Sequence, residues 1–367
     1  GVHGYSRGHA TRAAAVLHEL VRKHEVLILA GEDAYELLKH DFDVQPIDSL
    51  RFHYGVEGRI SPTITLQRNM PLVADMLLYG RRSRDLDARV RAFGPDVAIS
   101  DAEPWTHRVA YRLDIPRVGF DHFGIMVHCR VPFAPGDWLK SAFDRFAYRV
   151  LMGQPERVLI SSFYDAPARR DGTRVIGPLL RPEVRQVEVP AQGEHLLVYL
   201  NNGRHQLSDR LLEALHGLDL SVKLYGAPRS GRDRNVVYRP PAGRAFLEDL
   251  AGAKAVMSTA GNQLVGEALH FGRPLLVLPE NTVEQRMNGA AVARLGVGEV
   301  ASFDELDTPR LQAFLGRLPD YEAAARTHAV DGRADALQLL EAWIEQLGRE
   351  RGRSRKKSFL RALRAEN

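Results

Sequence analysis

The chain has 367 residues, a single cysteine, 44% hydrophobic residues and a formal net charge of +4. That length supports two cores rather than one, and Cys129 alone excludes a disulfide framework or a cysteine-built metal site. The basicity is local: residues 349–367 hold eight Arg/Lys against two Glu, a tail of +6 that leaves the remainder at −2. A near-neutral body argues against nucleic-acid binding, which needs charge spread over a folded face. No apolar run reaches bilayer length and nothing at the N-terminus reads as a signal peptide, so a cytoplasmic setting is expected.

Short β-rich runs alternate with helical periodicity, which predicts an α/β fold with parallel sheets. "HEVLILAG", "FDVQPI", "PDVAIS" and "IPRVGFD" read as strands, with helices over 9–23, 32–40, 71–93 and 104–113 between them. A strand is expected to run into Gly1, because "GVHGYSRGHATR" reads as a strand end, a turn and a helix start. In the second half "HLLVYLNNG", "LSVKLYG", "NVVYRP", "AKAVMST" and "RPLLVLPE" read as strands. "RVIGPLLRPEVRQVEVPAQGE", rich in proline and without a period, reads as the linker. The expected division is therefore 1–185 and 186–333, two similar α/β domains facing a cleft.

The first glycine turn places His9 at a helix start. In parallel α/β sheets ligands bind beyond the carboxyl ends of strands, so His9 is expected in the cleft, with His3 packed instead. Asp101 directly follows the strand "PDVAIS". A carboxylate there either fixes the imidazole tautomer, leaving the other ring nitrogen as a base, or caps the helix starting near Pro104. Asp121-His122, at the end of the next strand, is a second candidate pair.

"TAGNQLVGEALHFGRPLLVLPENTVEQRMN" (259–288) is the richest stretch. The N–H groups of Gly261, Asn262 and Gln263 open a helix and suit an anion such as a diphosphate. Glu267, up to two turns further, is placed to accept hydrogen bonds from a ribose, and the loop holding Glu284 and Gln285 faces the same cleft.

The spacing of Gly261, Glu267, Pro274, Pro279 and Glu284-Gln285, followed by Arg286 and Asn288, resembles the signature of the inverting GT-B glycosyltransferases. The Gly8-His9 turn and "SDAEP" match that family's N-terminal histidine and its aspartate partner, and together with "EQRMN" look closest to a poorly characterised bacterial and archaeal branch. Two Rossmann-like domains around a cleft are what this resemblance implies, with helix 334–348 packing back on the first domain. It implies a base at His9 oriented by Asp101, ribose contact at Glu267 and donor-sugar contacts at Glu284 and Gln285. The family's phosphate-binding histidine is replaced by Thr259. The diphosphate is therefore expected against Ser258, Thr259, Gly261, Asn262 and Gln263, and against Asn202 and Gly203 of the neighbouring loop. No tryptophan stands where plant-type members stack uracil, so Arg239 and Phe246 of "YRPPAGRAF" are expected to clamp the base.

The reading is a metal-independent, inverting transferase that moves a sugar from a nucleoside-diphosphate sugar, UDP-linked, to a hydroxyl of a small-molecule, lipid or glycan acceptor, with no bound cofactor. A nucleotide-sugar hydrolase or 2-epimerase of the same fold is the alternative. A basic-tailed peripheral membrane or nucleic-acid-binding protein is the alternative of another class. Residues 131–150 concentrate Phe, Trp and Tyr and read either as a core-facing helix or as an apolar or membrane-facing patch. The tail 349–367 reads as a solvated end or as a contact to an anionic membrane, with Phe359, Leu360 and Leu363 on one helical face.

Overall fold

The computed structural model describes the chain except residues 6, 56–59, 202, 241–242 and 366–367, and gives the backbone alone at 204 and 354–365. In the first domain the strands are β1 (Ile28–Ala30), β2 (Val44–Pro46), β3 (Ala98–Ser100), β4 (Arg117–Asp121), β5 (Arg157–Ser161) and β6 (Thr173–Ile176). Its helices are α1 (Arg7–Lys23), α2 (Glu32–Leu38), α3 (Pro62–Leu78), α4 (Arg81–Phe93), α5 (Pro104–Arg112), α6 (Ile125–His128) and α7 (Trp138–Met152). Strands β3 to β6 pair in parallel in sequence order, and β1 pairs in parallel with β2. Residues 1–3 join these two pieces: Val2 bridges Ala30 on one side and Asp101 on the other. The ladder runs through Val2 N–H to Leu29 O (2.8 Å) and His3 N–H to Asp101 O (3.0 Å).

The second domain holds β7 (His195–Tyr199), β8 (Ser221–Tyr225), β9 (Gly231–Asp233), β10 (Val236–Arg239), β11 (Ala253–Ser258), β12 (Leu275–Val277) and β13 (Gly298–Val300). They form one sheet in the order β13-β12-β11-β7-β8-β10-β9, parallel except for the edge strand β9. Its helices are α8 (Gly203–Gln206), α9 (Asp209–His216), α10 (Gly243–Ala251), α11 (Asn262–His270), α12 (Val283–Arg294), α13 (Thr308–Gly316) and α14 (Leu318–Thr327).

Three expectations change. The stretch 71–93 is two helices, because Tyr79 adopts a left-handed conformation (φ 55°) and Gly80 then caps α4. Helix α3 also starts earlier, at the Ser61 cap, and runs through Pro71. The first residues of the expected linker are strand β6, whose Thr173 and Ile176 are buried against the sheet. Finally, the expected helix 334–348 and the tail beyond it are one helix, α15 (Arg333–Ala365).

Helix α15 covers the first domain. Ala336, Leu340, Trp343 and Leu347 pack with Ala15, Val16 and Leu20 of α1 against Val118, Phe120 and Leu159. Each large apolar side chain so buried contributes about 1.5–3 kcal/mol. Arg333 donates to Ala15 O (2.8 Å), and Arg351 donates to the carbonyls of Pro95 and Leu113. The chain thus crosses between domains twice, and the crossings touch. Gly332 N–H bonds Pro178 O (2.8 Å), and a Cβ on Gly332 would lie 2.3 Å from Gly177 O. The loops after the parallel strands of both sheets converge on the cleft between the domains.

Candidate active site

On the first-domain wall, Gly4 lets the chain turn tightly from strand to helix. A Cβ there would come within 2.7 Å of the Gly31 backbone. Helix α1 then brings His9 to the cleft, and its Nδ1 lies 2.7 Å from Asp101 Oδ1. Asp101 is buried and does not cap α5. That role falls to Glu103, whose carboxylate accepts from the N–H groups of Trp105 (2.8 Å) and Thr106 (2.7 Å). The backbone reverses at Ala102, a non-glycine residue at φ 51°, the kind of strain that persists where surrounding structure fixes it.

Arg12, one turn along α1 from His9, is 4% exposed and grips Asp101 through Nε (2.9 Å to Oδ2) and Nη2. Burial alone would raise the Asp101 pKa, but the charges of Arg12 and His9 and their hydrogen bonds outweigh it and hold the carboxyl below its ordinary value. His3 packs edge-on against His9 (centroids 5.0 Å apart) with its Nδ1 buried and unbonded. Burial, and then His9, lowers its pKa to about 3, so it stays neutral.

On the facing wall, β11 is followed by the turn Thr259-Ala260-Gly261, with Ala260 at φ 62°, before α11 begins. A Cβ on Gly261 would meet nothing within 4 Å, so its surface is open to the cleft. Thr259 Oγ1 accepts from Asn201 Nδ2 (2.8 Å), and the buried Ser258 Oγ has no partner among the described residues. The side chains of α11 depart from expectation. Asn262 bonds Phe163 N–H and Ser161 O in the first domain, both at 3.1 Å, and Gln263 donates to Leu179 O and Glu267. Both therefore offer the cleft only their backbone N–H groups.

Glu267 is buried and held by Arg181 through two parallel bonds, Nε to Oε1 at 3.0 Å and Nη2 to Oε2 at 2.9 Å. Phe246 does not present a face to a base: its ring is in the core against Tyr225 and beneath Arg181, because α10 turns its apolar side inward. Arg239 lies half exposed beside Asp249 (3.4 Å). Gly203 cannot donate to a diphosphate, since its N–H bonds Gly226 O (3.1 Å). Asn202 lies outside the described residues.

The loop 280–282 and the first turn of α12 join the two walls. Tyr54 of the first domain donates to Glu280 (3.0 Å) and stacks on His205 (centroids 5.0 Å, planes 8° apart). Asp137 takes Arg286 through both oxygens (2.9 and 2.6 Å), and Lys140 bonds Asn281. Gln285 turns back onto Glu280, accepting from its N–H at 2.7 Å and donating to its carboxylate at 3.2 Å, so its amide is not directed at a sugar. Glu284 makes no such bond among the described residues, and its charge is felt at Arg12 and His122 across the cleft. The Asp121-His122 pair is structural: Asp121 accepts from Tyr148 (2.7 Å) and His122 lies 2.9 Å from Asn288.

A model of glycosyl transferase family 1 matches residues 1–319. The chain belongs to that family. It is 25% identical to an uncharacterised glycosyltransferase of Methanosarcina acetivorans over 334 residues, 82% of this chain and 84% of the relative. It is 33% identical over 105 residues to the UDP-N-acetylglucosamine–N-acetylmuramyl-(pentapeptide) pyrophosphoryl-undecaprenol N-acetylglucosamine transferase of Brucella anthropi, covering 27% of this chain and 28% of that one. The calicheamicin glycosyltransferase CalG4 superposes with a TM-score of 0.62 at 17% identity, over 94% of this chain and 99% of its own. The fold is GT-B and the protein is a glycosyltransferase.

Three arginines of this glycosyltransferase escaped the sequence reading. Arg12 resembles any charged position on a helix, although its spacing of three from His9 puts both on one face. Arg181 sits in the linker, 86 residues from the carboxylate it holds. Arg7 opens α1 exposed, and across the cleft it opposes the rise that burial imposes on the Tyr199 hydroxyl pKa. Among the described residues no three His, Cys, Asp or Glu side chains converge as a metal site.

Proposed function

We propose that the chain is an inverting, metal-independent glycosyltransferase that carries a sugar from a UDP-linked donor to a hydroxyl of a lipid or glycan acceptor. The observation that carries this reading is the 2.7 Å contact between His9 Nδ1 and the buried Asp101. A proton donated from Nδ1 to the carboxylate leaves the lone pair on Nε2. That nitrogen takes the acceptor's hydroxyl proton as the oxygen bonds the anomeric carbon and the bond to the diphosphate oxygen breaks. One displacement inverts the configuration.

Charge appearing on the diphosphate is met by the N–H groups opening α11 beside Gly261, and by Arg7 from the opposite wall. Glu284 accepts from the donor sugar's hydroxyls. Glu267, fixed by Arg181, offers its remaining lone pairs to ribose. The UDP and lipid choices are supported by the Brucella relative, whose name carries both, over the short stretch that it shares.

The test is to incubate the protein with UDP-sugars, follow UDP release with and without a lipid or glycan extract, and read the product's anomeric proton by NMR. Acceptor-dependent release, an inverted product and an EDTA-insensitive rate are expected. Equally fast release without acceptor, with free sugar, would make the protein a hydrolase, and a changed donor sugar would make it an epimerase.

A further inference from the structure

Helix α7 wears its polarity inside out. From residue 132 to 148 every exposed position lacks a polar side chain, and the next exposed residue is Arg149. Four of these positions, Trp138, Leu139, Phe143 and Phe146, are 63–64% exposed. Leu139, Phe143 and Phe146 recur at spacings of four and three, so they share one side of the helix. The polar side chains point the other way: Asp137 to Arg286, Lys140 to Asn281, and Tyr148 to the buried Asp121. Helix α3 makes the contrast, because its exposed Leu66 and Met70 are interleaved with exposed Gln67 and Arg68.

An uninterrupted apolar surface of this kind marks a binding face. Its border says what binds. Arg169 and Arg149 both lie close enough to Arg145 to repel its charge, and among the described residues Arg145 Nε has no partner and none of the three is in an ion pair. Three clustered, unneutralised guanidiniums disfavour a second copy of the same face and suit lipid phosphates.

We infer that α7 is the face on which this protein rests against an anionic bilayer, with Trp138, Leu139, Phe143 and Phe146 among the acyl chains and the arginines at phosphate level. Tryptophan suits that boundary, where one end of the ring is apolar and the other wet. The N-terminal end of α7 is tied to Asn281 and, through Arg286, to the first turn of α12, so the bilayer would lie beside the cleft mouth. The inference stands apart from the glycosyl-transfer reading and holds or fails without it.

Of the three tryptophans, Trp105 and Trp343 are buried, so Trp138 is the natural reporter. Full-length protein would be mixed with vesicles of phosphatidylcholine, alone or with equal phosphatidylglycerol, with and without brominated acyl chains. Expected is a blue shift and bromine quenching on the anionic vesicles only, with weaker binding at high salt. Phe143→Glu/Phe146→Glu should lower vesicle partition at least tenfold while keeping the far-UV circular dichroism of the parent. Arg355→Gln/Lys356→Gln/Lys357→Gln should lower it less than threefold. Three results would overturn the inference: unquenched Trp138 on anionic vesicles, binding lost in the tail variant but kept in the phenylalanine variant, or a dimer that the phenylalanine variant dissolves without vesicle binding by the parent. The quenching of the parent decides the matter if the variant fails to fold.

Discussion

Arg12 grips Asp101 from beneath while His9 meets the same carboxylate from the cleft side. The carboxylate is thereby fixed by two side chains on one face of α1, a guanidinium and an imidazole. His9→Ala should lower kcat by about 10²–10⁴-fold, the range of a positioned general base, and leave UDP affinity nearly unchanged. Asp101→Asn should cost less if it only orients the ring. Steady-state kinetics with calorimetric titration of UDP checks both, and wild-type turnover by the His9 variant removes it from the mechanism.

Arg12→Ala strands a buried carboxylate and should cost about 3–5 kcal/mol of stability at pH 7. The sign with pH follows from the lowered Asp101 pKa. A depressed carboxyl contributes its stability in full above its unfolded pKa, about 4, and loses it as pH falls further. Without Arg12 only His9 still opposes burial, so that pKa should rise and the deficit should shrink as acid neutralises Asp101. Urea melts of both proteins from pH 4 to 8 measure this, and a deficit constant across that range contradicts it.

Glu267→Ala should weaken UDP and intact donor alike, by about 1.5–3 kcal/mol for a charge-assisted hydrogen bond. Because Arg181 makes two bonds to this carboxylate, Arg181→Ala and Glu267→Ala should also be strongly non-additive in stability. A double-mutant cycle read by thermal melts and calorimetry tests it. Additive losses would mean that the pair acts as two independent residues.

Tyr54 is the aromatic side of the cross-cleft contact, stacked on His205 and bonded to Glu280. Tyr54→Phe should keep the stack and lose the bond, and Tyr54→Ala should lose both. Donor KM is expected to rise in that order, by about tenfold at the Ala step for 1.5 kcal/mol of lost contact. Equal KM values in parent and Ala variant would show that donor binding does not depend on the Tyr54 contact.

His107 is 1% exposed with neither ring nitrogen bonded, and burial, followed by Arg117, lowers its pKa to about 3. Its folded pKa lies below the unfolded value of about 6.5. The unfolded chain therefore binds more protons between those values, and stability should fall as pH drops from about 6.5, by at most about 1.4 kcal/mol per pH unit for this group. His107→Leu should flatten that slope and leave the pH 8 stability within about 1.5 kcal/mol. An unchanged slope in chemical melts would show that His107 is not the group responsible.

Strand ends were the legible part of this sequence. "PDVAIS" followed at once by Asp101, and a glycine turn followed by His9, place two side chains at the same edge of parallel strands, and that edge is where they meet. Partners drawn from distant or featureless segments were not legible. Arg181 stands in a proline-rich linker, and Tyr54 bonds a residue 226 positions away. Periodicity also misleads where a loop precedes a short helix. Phe246 follows "RPPAG" and reads as exposed, yet it is the first inward position of α10. Short strands lacking an alternating pattern, such as Thr173–Ile176, depend on the sheet for their identity.

The contact of Gly177 with Gly332 has a mechanical consequence. Two chain crossings lie side by side there, joined by the Gly332–Pro178 hydrogen bond, so that any side chain at position 332 would have to push them apart.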